Sequence, residues 1–378
     1  MLINADFHIH SRFSGGTSPN INMKSLAEGA KKKGLNLLAT GDCLNKFWIN
    51  EIKEGKMEEG IIEYDGMNFI LSTEIEDRNR IHHLIIFPDF DSIYGFKKMV
   101  EKKSIDIEQG RPKIDIDGME VINIAKSVNA LIGPAHAFTP WTSLYAYFDS
   151  IYYYGEKPHF LELGLSADSN YADRIKELNS IPFLSNSDSH SSHPSRLGRE
   201  FNRIELNEIT WDEIKKAIID GRIINVGLPP EKGKYNRTAC TSCYRQYSIE
   251  KAKELGWKCY CGGIIKKGVK DRIEEIANFD KPHHPSWRGE YIHILPLIEI
   301  ISHAIKLPPY SSIVLKRWNE LLKLGNEINV LLDIDIEKIK KISPPAISNA
   351  IKSFRNGDIK IKAGGGGKYG EIRIGGLK

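Results

Sequence analysis

The sequence predicts an α/β protein, in which a barrel of alternating strands and helices precedes a small metal-binding domain and a helical region. Three observations support this. Short apolar segments alternate with amphipathic ones over residues 1–227, four of the five cysteines lie between residues 240 and 261, and apolar residues recur at helical spacing beyond residue 270. With 378 residues, the chain is long enough for two or three domains.

Seven segments of the first part have the composition of buried strands. They are LINADFHIH, LNLLATGD, NFILSTEIE, HHLIIFP, ALIGPAH, HFLELGL and IPFLSNSDSH. Helical patterns lie between them at 23–33, 118–128 and 210–220, the last with the capping-box spacing of Thr210 and Glu213. This alternation favours a parallel sheet or barrel, in which active-site residues gather at the C-terminal ends of the strands.

The first predicted strand carries two histidines in the stretch NADFHIHSRF. Side chains alternate along a strand, so His8 and His10 point to the same face. Such a pair is more often incidental than a metal site, and its meaning depends on the rest of the chain. Other metal-type residues lie at or just past the ends of the later strands: Asp42, Glu74, His83, His136, Glu162, Asp188 and His190. Helix caps and turns do not explain so many at equivalent positions, and the pattern predicts one rim that collects them.

The cysteines of the second part have zinc-ribbon spacing. Cys240 and Cys243 form a Cys-x-x-Cys turn, and after fifteen residues Cys259 and Cys261 precede two glycines. Two short turns of this kind bring four thiolates to one tetrahedral zinc ion. Disulfides are the alternative, which a cytosolic chain makes unattractive. The fifth cysteine, Cys43, lies beside the predicted rim, where we expect it to pack rather than to bind metal.

The third part is predicted to be helical. A linker rich in Pro, Gly and Lys at 227–238 precedes the cysteines, and the apolar stripes of IHILPLIEIISHAI, SIVLKRWNELLKLGNEI and SPPAISNAIKSFRNG follow them. Near the end, the run GGGG either forms a flexible turn or presents backbone amides to a phosphate. We therefore predict three domains: a barrel at 1–227, a zinc ribbon at 228–269 and a helical region with a glycine-rich tail at 270–378.

Charge is distributed unevenly between the parts. Residues 1–227 contain 26 Lys and Arg against 33 Asp and Glu, whereas residues 228–378 contain 27 against 16, so the two segments carry −7 and +11. The acidic segment suits metal ions and the basic one suits a polyanion, although basic residues also simply solvate helices. The longest apolar runs are too short to span a bilayer, and the start lacks the pattern of a secretory signal. We expect a cytoplasmic protein that does not bind membranes, and no nucleotide cofactor.

The ordered motifs HIH, TGD, TEIE, HHL, GPAH and NSDSH over residues 1–227 resemble those of the polymerase-and-histidinol-phosphatase (PHP) family of metallo-phosphoesterases. The resemblance implies a distorted (β/α)7 barrel that binds two or three divalent ions. The family usually has His at position 42, and we prefer His83 to His82 because the following LIIF matches the family's strand. The implied metal ligands are His8, His10, Asp42, Glu74, His83, His136, Asp188 and His190. Such donors suit Zn²⁺, Mn²⁺ or Mg²⁺.

Over nearly its whole length the chain resembles the endonuclease Q family, because the barrel is followed by CGGIIKKGVKDRI, HPSWRGEYIHILPLIEII and GGGGKYG. The resemblance implies a monomeric repair enzyme that cuts double- or single-stranded DNA 5′ to uracil, hypoxanthine, xanthine or an abasic site, leaving a 3′-hydroxyl and a 5′-phosphate. Some archaeal members end in a sliding-clamp motif. This chain ends in IRIGGLK without it, so we do not expect clamp binding.

The chemistry of the residues agrees with this reading. Clustered metal ions activate water and neutralise the leaving oxygen in phosphodiester hydrolysis. We expect Asp188 and His190 to act with Arg196 and Arg199, whose guanidinium groups suit a phosphate, although a structural pairing with Glu200 or with the backbone is an equal alternative for these arginines. Aromatic residues of the basic part are candidates for base stacking, although packing in a core or a domain interface is the more common role of such residues, and the sequence does not locate a base pocket: Tyr244, Trp257, Tyr260, Trp287 and Tyr291. Two alternatives remain at this stage, a small-molecule phosphatase such as histidinol phosphatase and a non-catalytic nucleic-acid-binding protein.

Overall fold

The computed structural model describes residues 1–374, so the last four residues of the IRIGGLK end lie outside the described part. Eleven strands belong to the first part of the chain. They are β1 (Leu2–Asp6), β2 (Leu37–Ala39), β3 (Lys56–Glu58), β4 (Ile61–Tyr64), β5 (Met67–Glu76), β6 (His82–Phe87), β7 (Leu131–Pro134), β8 (Leu161–Glu162), β9 (Phe183–Leu184), β10 (Phe201–Glu205) and β11 (Ile223–Gly227). The seven predicted strand segments correspond to β1, β2 and β5 to β9.

Seven α-helices surround these strands. They are α1 (Met23–Lys33), α2 (Lys46–Ile52), α3 (Phe90–Val100), α4 (Gly118–Ser127), α5 (Leu144–Tyr147), α6 (Ser169–Ala172) and α7 (Trp211–Ile219), with 3₁₀ turns at Glu101–Lys103, Ile151–Tyr154 and Lys176–Ser180. The three predicted helices are α1, α4 and α7. At the start of α7 the Thr210 hydroxyl accepts a hydrogen bond from the Glu213 amide. At its end the chain leaves the helix through Gly221, whose φ is +69°. The helix signals in the sequence were therefore sufficient here.

The barrel is parallel only in part. β1 runs parallel to β2, and β2 runs parallel to β5, as the βα alternation predicts. β6, however, is antiparallel to both β5 and β7, because only residues 77–81 separate it from β5 and no helix intervenes. β6 therefore begins at the rim where β5 and β7 end. β8 pairs with β9 in parallel, and an isolated bridge between Ile9 and Ser189 joins the extension of β9 to that of β1.

The four cysteines form a small domain of their own. Its elements are β12 (Ala239–Cys240), α8 (Ile249–Glu254) and β13 (Ile265–Lys266), and the two strands pair in antiparallel fashion. Ala252 and Ile265 are buried here, and Trp257 packs against them. So small an apolar core cannot stabilise a fold alone, which is the usual situation of domains that depend on a metal ion.

The segment that follows the cysteines first returns to the barrel. Residues 269–293 run along the barrel, where α9 (Val269–Ile276) contacts α6 and β14 (Ile292–His293) pairs in parallel with β11. Beyond them lie α10 (Leu297–Ile305), α11 (Ser312–Leu321), α12 (Glu327–Leu332), α13 (Ile336–Ile342), α14 (Pro345–Arg355), β15 (Ile359–Lys362) and β16 (Glu371–Ile374). One apolar core is continuous from the barrel into these helices.

The glycine run and the linker pack against each other. The amides of Gly364 and Gly367 donate to the carbonyl oxygens of Glu231 and Lys234, so these amides are not free to cradle a phosphate. A Cβ atom on Gly366 would lie 2.2 Å from the carbonyl oxygen of Cys240. The glycines are therefore needed for close approach of two backbones, and the linker, with a 3₁₀ turn at Pro230–Lys232, is part of the packed structure.

Within residues 1–374 no helix is long and apolar enough to cross a membrane.

Candidate functional site

A first group of side chains that can bind a metal ion lies at the rim of the barrel where β1 ends. His8 and His10 follow β1, and the bridge between Ile9 and Ser189 brings Asp188 beside them. Asp188 Oδ1 lies 3.2 Å from His10 Nε2 and 3.8 Å from His8 Nε2. All three atoms are buried, and none has a hydrogen-bond partner within the described part of the chain. Three converging donor atoms without partners are the arrangement expected of a cation site.

A second group lies beside the first and is formed by Glu74, His82 and His136. Glu74 Oε1 lies 2.8 Å from His82 Nδ1 and 2.9 Å from His136 Nε2, and these two nitrogens are 3.3 Å apart. The other oxygen of the same carboxylate, Oε2, faces the first group at 3.3 Å from His10 Nε2. Glu74 is thus shared by the two groups.

The structure places His82, and not His83, on the face of the donor group. In the antiparallel pairing of β5 with β6, Glu76 lies opposite His82 and Ile75 lies opposite His83. Opposed residues share a face, and faces alternate along a strand, so His82 points to the side of Glu74 and His83 to the other side. His83 Nε2 lies 2.9 Å from Asp77 and its Nδ1 lies 2.7 Å from the Tyr154 hydroxyl. Both ring nitrogens of His83 are therefore engaged within the fold.

Two carboxylates hold the histidines of the first group from behind. His8 Nδ1 lies 2.9 Å from Glu162, and His10 Nδ1 lies 3.1 Å from Asp42. A proton on each Nδ1 leaves the Nε2 lone pair directed at the donor group. Asp42 was expected to be a metal ligand, but its Oδ2 accepts hydrogen bonds from both the amide and the hydroxyl of Ser11. Its contacts are those of a residue that orients His10.

Three residues of the site have unusual backbone conformations. The φ angles of Asp42, His136 and Asp188 are +47°, +31° and +45°, in the left-handed region that residues with a side chain rarely adopt. Each such conformation costs about 1–2 kcal/mol. Strain of this kind concentrates at functional sites, where the surrounding structure holds side chains in required positions.

Attraction between the histidines and the carboxylates shifts the pKa values of both. Burial alone would lower the pKa of His8, but the carboxylates of Glu162 and Glu74 raise it well above the ordinary value. Burial alone would raise the pKa of Glu74, but His82 and His8 lower it well below the ordinary value. Glu74 is therefore ionised at neutral pH, which is the form that binds a cation.

A cavity of about 450 Å³ opens over the two donor groups. Its wall carries three cationic side chains, Arg111, Arg199 and Lys234, and three aromatic ones, Trp141, Tyr235 and Tyr369. Most of these were not identified from the sequence, because they come from loops and from the tail without any local motif. The pairing of a donor floor with cationic walls fits an anionic substrate.

The remaining predicted residues lie at different distances from this cavity. His190 lines it, with its ring 4.5 Å from that of His10. Arg199 also lines it and donates from Nε to the carbonyl oxygen of Ser187 at 3.0 Å. Arg196 lines a neighbouring cavity.

The aromatic residues proposed for stacking lie away from the metal-site cavity. Tyr244 and Tyr260 are exposed on the ribbon, and Trp257 lines a separate cavity between the ribbon and the barrel. Trp287 packs against Gly221, and the Tyr291 hydroxyl is buried beside Gly227. The aromatic residues that line the cavity are Trp141, Tyr235 and Tyr369, none of which was among these candidates.

The donor groups fit divalent ions. Tetrahedral nitrogen or oxygen ligands at about 2.0–2.1 Å from an ion lie roughly 3.3 Å apart. The distances of 2.8–3.3 Å within the group of Glu74, His82 and His136 are of this size. The unpartnered nitrogens of His8 and His10 are explained in the same way. Imidazole with carboxylate suits Zn²⁺ and also Mn²⁺.

The cysteine cluster fits a single zinc ion. The sulfur atoms of Cys240 and Cys261 are 3.5 Å apart, as are those of Cys243 and Cys259. Four sulfurs at about 2.3 Å from a zinc ion lie roughly 3.8 Å apart. The Cys261 amide and the Tyr247 hydroxyl lower the pKa of Cys259, whereas, against the effect of the Gly263 amide, the neighbouring thiols raise the pKa of Cys261. The shorter second turn, Cys-x-Cys, therefore does not prevent convergence of the four thiols.

Comparison with known proteins identifies relatives of this chain. Residues 296–358 match the family described as the MJ0043 C-terminal domain. The chain is 44% identical over 320 residues to the uncharacterized protein MJ0043 of Methanocaldococcus jannaschii, which covers 82% of this chain and 40% of that protein. The chain thus spans less than half the length of that relative.

Two solved structures are similar over nearly the whole of both chains. One is the lesion-specific endonuclease PfuEndoQ from Pyrococcus furiosus, with 47% identity, a TM-score of 0.93 and coverage of 99% of this chain and 96% of that one. The other is endonuclease Q in complex with a 27-mer duplex substrate that has an abasic lesion at the active site. Its identity is 46% and its TM-score 0.95, with coverage of 100% and 98%.

The barrel and its paired donor groups define a metal-dependent phosphoesterase. Two solved structures that are 46–47% identical to this chain over nearly their full length identify the family within this class of enzyme. The chain belongs to the endonuclease Q family, which confirms the resemblance inferred from the motifs.

Proposed function

We propose that this protein is a DNA repair endonuclease that hydrolyses the phosphodiester bond 5′ to uracil, hypoxanthine, xanthine or an abasic site and leaves a 3′-hydroxyl and a 5′-phosphate. The observation that carries the proposal is the pair of buried donor groups beneath a cavity with cationic walls. Support comes from the similarity to an endonuclease Q that was solved with an abasic lesion at its active site.

Two divalent ions are proposed at the floor of the cavity. His8, His10 and Asp188 would hold one, and Glu74, His82 and His136 would hold the other. His190 is available for a further ion at the same rim. When bound, such ions lower the pKa of water and neutralise charge on a phosphate.

The chain's own side chains orient these donors and the substrate. Glu162 accepts a hydrogen bond from Nδ1 of His8, and Asp42 accepts one from Nδ1 of His10. Each Nε2 is thereby kept directed at the site. Arg111 donates to Glu74 Oε2 at 3.1 Å, and Arg199, which donates to the Ser187 carbonyl oxygen and to the Tyr369 hydroxyl, lines the cavity. A guanidinium group in this position binds phosphate oxygens and holds the scissile group over the donors.

The upper part of the cavity is proposed to receive the damaged nucleotide. Bases that react inside a protein pocket are taken out of the duplex and are read by aromatic walls and polar groups. Trp141 and Tyr235, with ring centroids 4.3 Å apart, supply such a wall. The side chain of Asn186 lies on the same cavity and supplies a polar group. An abasic site has no base, so its sugar alone would enter this space.

The test uses 5′-labelled duplexes with one uracil, hypoxanthine or abasic site and an undamaged control. We expect a single nick immediately 5′ of each lesion, which requires divalent metal and stops with EDTA. Asp188→Asn should abolish nicking, whereas Asp212→Asn, which removes the same charge from an exposed position on α7, should not. A ladder of products on undamaged DNA, or a cut 3′ to the lesion, would contradict the proposal. Turnover of histidinol phosphate without nicking would favour a small-molecule phosphatase instead.

A further inference from the structure

A second cavity, of about 530 Å³, adjoins the metal-site cavity. We call it the junction cavity, because Arg199 and Tyr369 line both. Its other walls include Arg196 from the barrel, Lys232 from the linker and Glu299 from α10. Three parts of the chain that are distant in sequence thus meet around one space.

The junction cavity has an excess of positive charge. Glu299 lies 2.8 Å from Lys232, and Glu371 lies 2.8 Å from Lys368, so each carboxylate on its wall is already balanced by a lysine. By contrast, neither Arg196 nor Arg199 forms an ion pair within 4.0 Å in the part of the chain that the structure describes, although Arg199 interacts electrostatically with the buried carboxyl group of Glu200. Two guanidinium groups that face one space without a direct ion pair favour an anionic ligand.

Tyr369 stands between the two arginines. Arg199 Nη1 donates to its hydroxyl at 3.4 Å, and Arg196 lies beside both this hydroxyl and that of Tyr310. Burial alone would raise the pKa of Tyr369, but the cations Arg199, Lys234 and Arg196 lower it. The phenol therefore lies in a positive field and offers a hydroxyl at the boundary of the two cavities.

The glycine run explains how Tyr369 reaches this position. Gly366 has φ +65° and contacts the backbone of Cys240, and Gly364 is similarly close to Gly233, so only glycine allows the tail to lie flat on the linker. The turn then returns toward the barrel and presents Tyr369. The side chain that follows the glycines, and not their amides, faces the candidate anion site.

We propose that the junction cavity binds a second phosphate of the substrate strand, with Arg196 as its cation and Tyr369 as a hydroxyl donor, while Arg199 lies between this phosphate and the scissile one. This inference rests on the proposed function, because a strand with its scissile phosphate over the donor groups passes Arg199 and Tyr369 into the junction cavity. The ligand chemistry is a phosphodiester anion, which free phosphate also resembles. A phosphate held here fixes the register of the strand without reading sequence.

The test uses abasic duplexes in which one phosphate at a time, on either side of the lesion, is replaced by a neutral methylphosphonate. Single-turnover cleavage with the protein in excess gives the half-saturating protein concentration for each duplex. For the wild type, we expect one linkage outside the scissile position to raise this concentration about tenfold, the loss of one charge-assisted contact. In Arg196→Ala this penalty should disappear, because the phosphate has lost its partner, and in Tyr369→Phe it should shrink.

A matched control removes a positive charge elsewhere. Lys352 is exposed on α14, outside the junction cavity, so Lys352→Ala should keep the wild-type pattern of penalties. An unchanged pattern in Arg196→Ala would overturn the inference while leaving the proposed function intact. The strand assignment would also be wrong if inorganic phosphate inhibited the wild type, but not Arg196→Ala, without any linkage-specific penalty. Failure of the wild type to cut the unmodified abasic duplex would overturn the proposed function itself.

Discussion

The two histidines at the start of β6 allow metal binding to be separated from structural stability. Replacing His83 with leucine removes its contacts with Asp77 at 2.9 Å and with the Tyr154 hydroxyl at 2.7 Å. Asp77 keeps other donors, including the Tyr153 hydroxyl, but Tyr154 keeps no hydrogen-bond partner in the described structure. A lost bond to a charged group and a buried hydroxyl without a partner, partly offset by the apolar leucine, cost about 2–4 kcal/mol in the free energy of unfolding.

Replacing His82 with leucine should instead impair metal binding and leave the stability of the fold largely unchanged. Its ring faces Glu74, Glu76 and His136 at the cavity, so the change removes a donor from the second group. Substitution of residues that only support a ligand commonly costs 10–100-fold in metal affinity or activity, and we expect loss of a ligand to cost at least about 100-fold in nicking rate. The fold should persist, because the buried Glu74 keeps His136 at 2.9 Å and Arg111 at 3.1 Å as partners when His82 is replaced.

Both variants are measured by metal content after dialysis, by the nicking rate on an abasic duplex and by urea unfolding followed by circular dichroism. Each variant is the control for the other, since both remove one imidazole from adjacent buried positions. The assignment is refuted if His83→Leu loses metal while His82→Leu retains both metal and activity.

Three other changes test further parts of the structure. Asp188→Ala should abolish nicking while DNA binding and folding remain largely intact, as judged by cleavage, gel shift and circular dichroism, and an unchanged nicking rate would remove Asp188 from the mechanism. Serine at both Cys240 and Cys243 should release one zinc ion and weaken DNA binding, and equal zinc content before and after would contradict the ribbon assignment. Lys33→Met should cost about 3–5 kcal/mol in urea unfolding, because its ammonium group lies 2.8 Å from the fully buried Glu327, and adding Glu327→Leu should recover part of the loss. A single variant within about 0.5 kcal/mol of the wild type would show that this pair does not join the barrel to the helical region.

Much of the site followed from local sequence. The order of the motifs placed His8, His10, Glu74, His136 and Asp188 at one rim, because strand ends in a barrel converge whatever their distance along the chain. The spacing of the four cysteines likewise predicted a cluster, since each short turn brings two thiols together. Strand and helix positions followed from periodicity and caps, which depend only on neighbouring residues.

The remaining assignments depended on pairing and on contacts between distant segments. Whether His82 or His83 faces Glu74 is set by the register of β5 against β6, and a shift of one residue exchanges the two faces. The role of Asp42 behind His10 and the position of Tyr369 beside Arg199 also arise from such contacts. Arg199 and Tyr369 are 170 positions apart, and nothing near either residue encodes the meeting. Sequence therefore determined which chemistry the chain carries, and tertiary structure decided which side chains share it, because burial and register are properties of the folded chain as a whole.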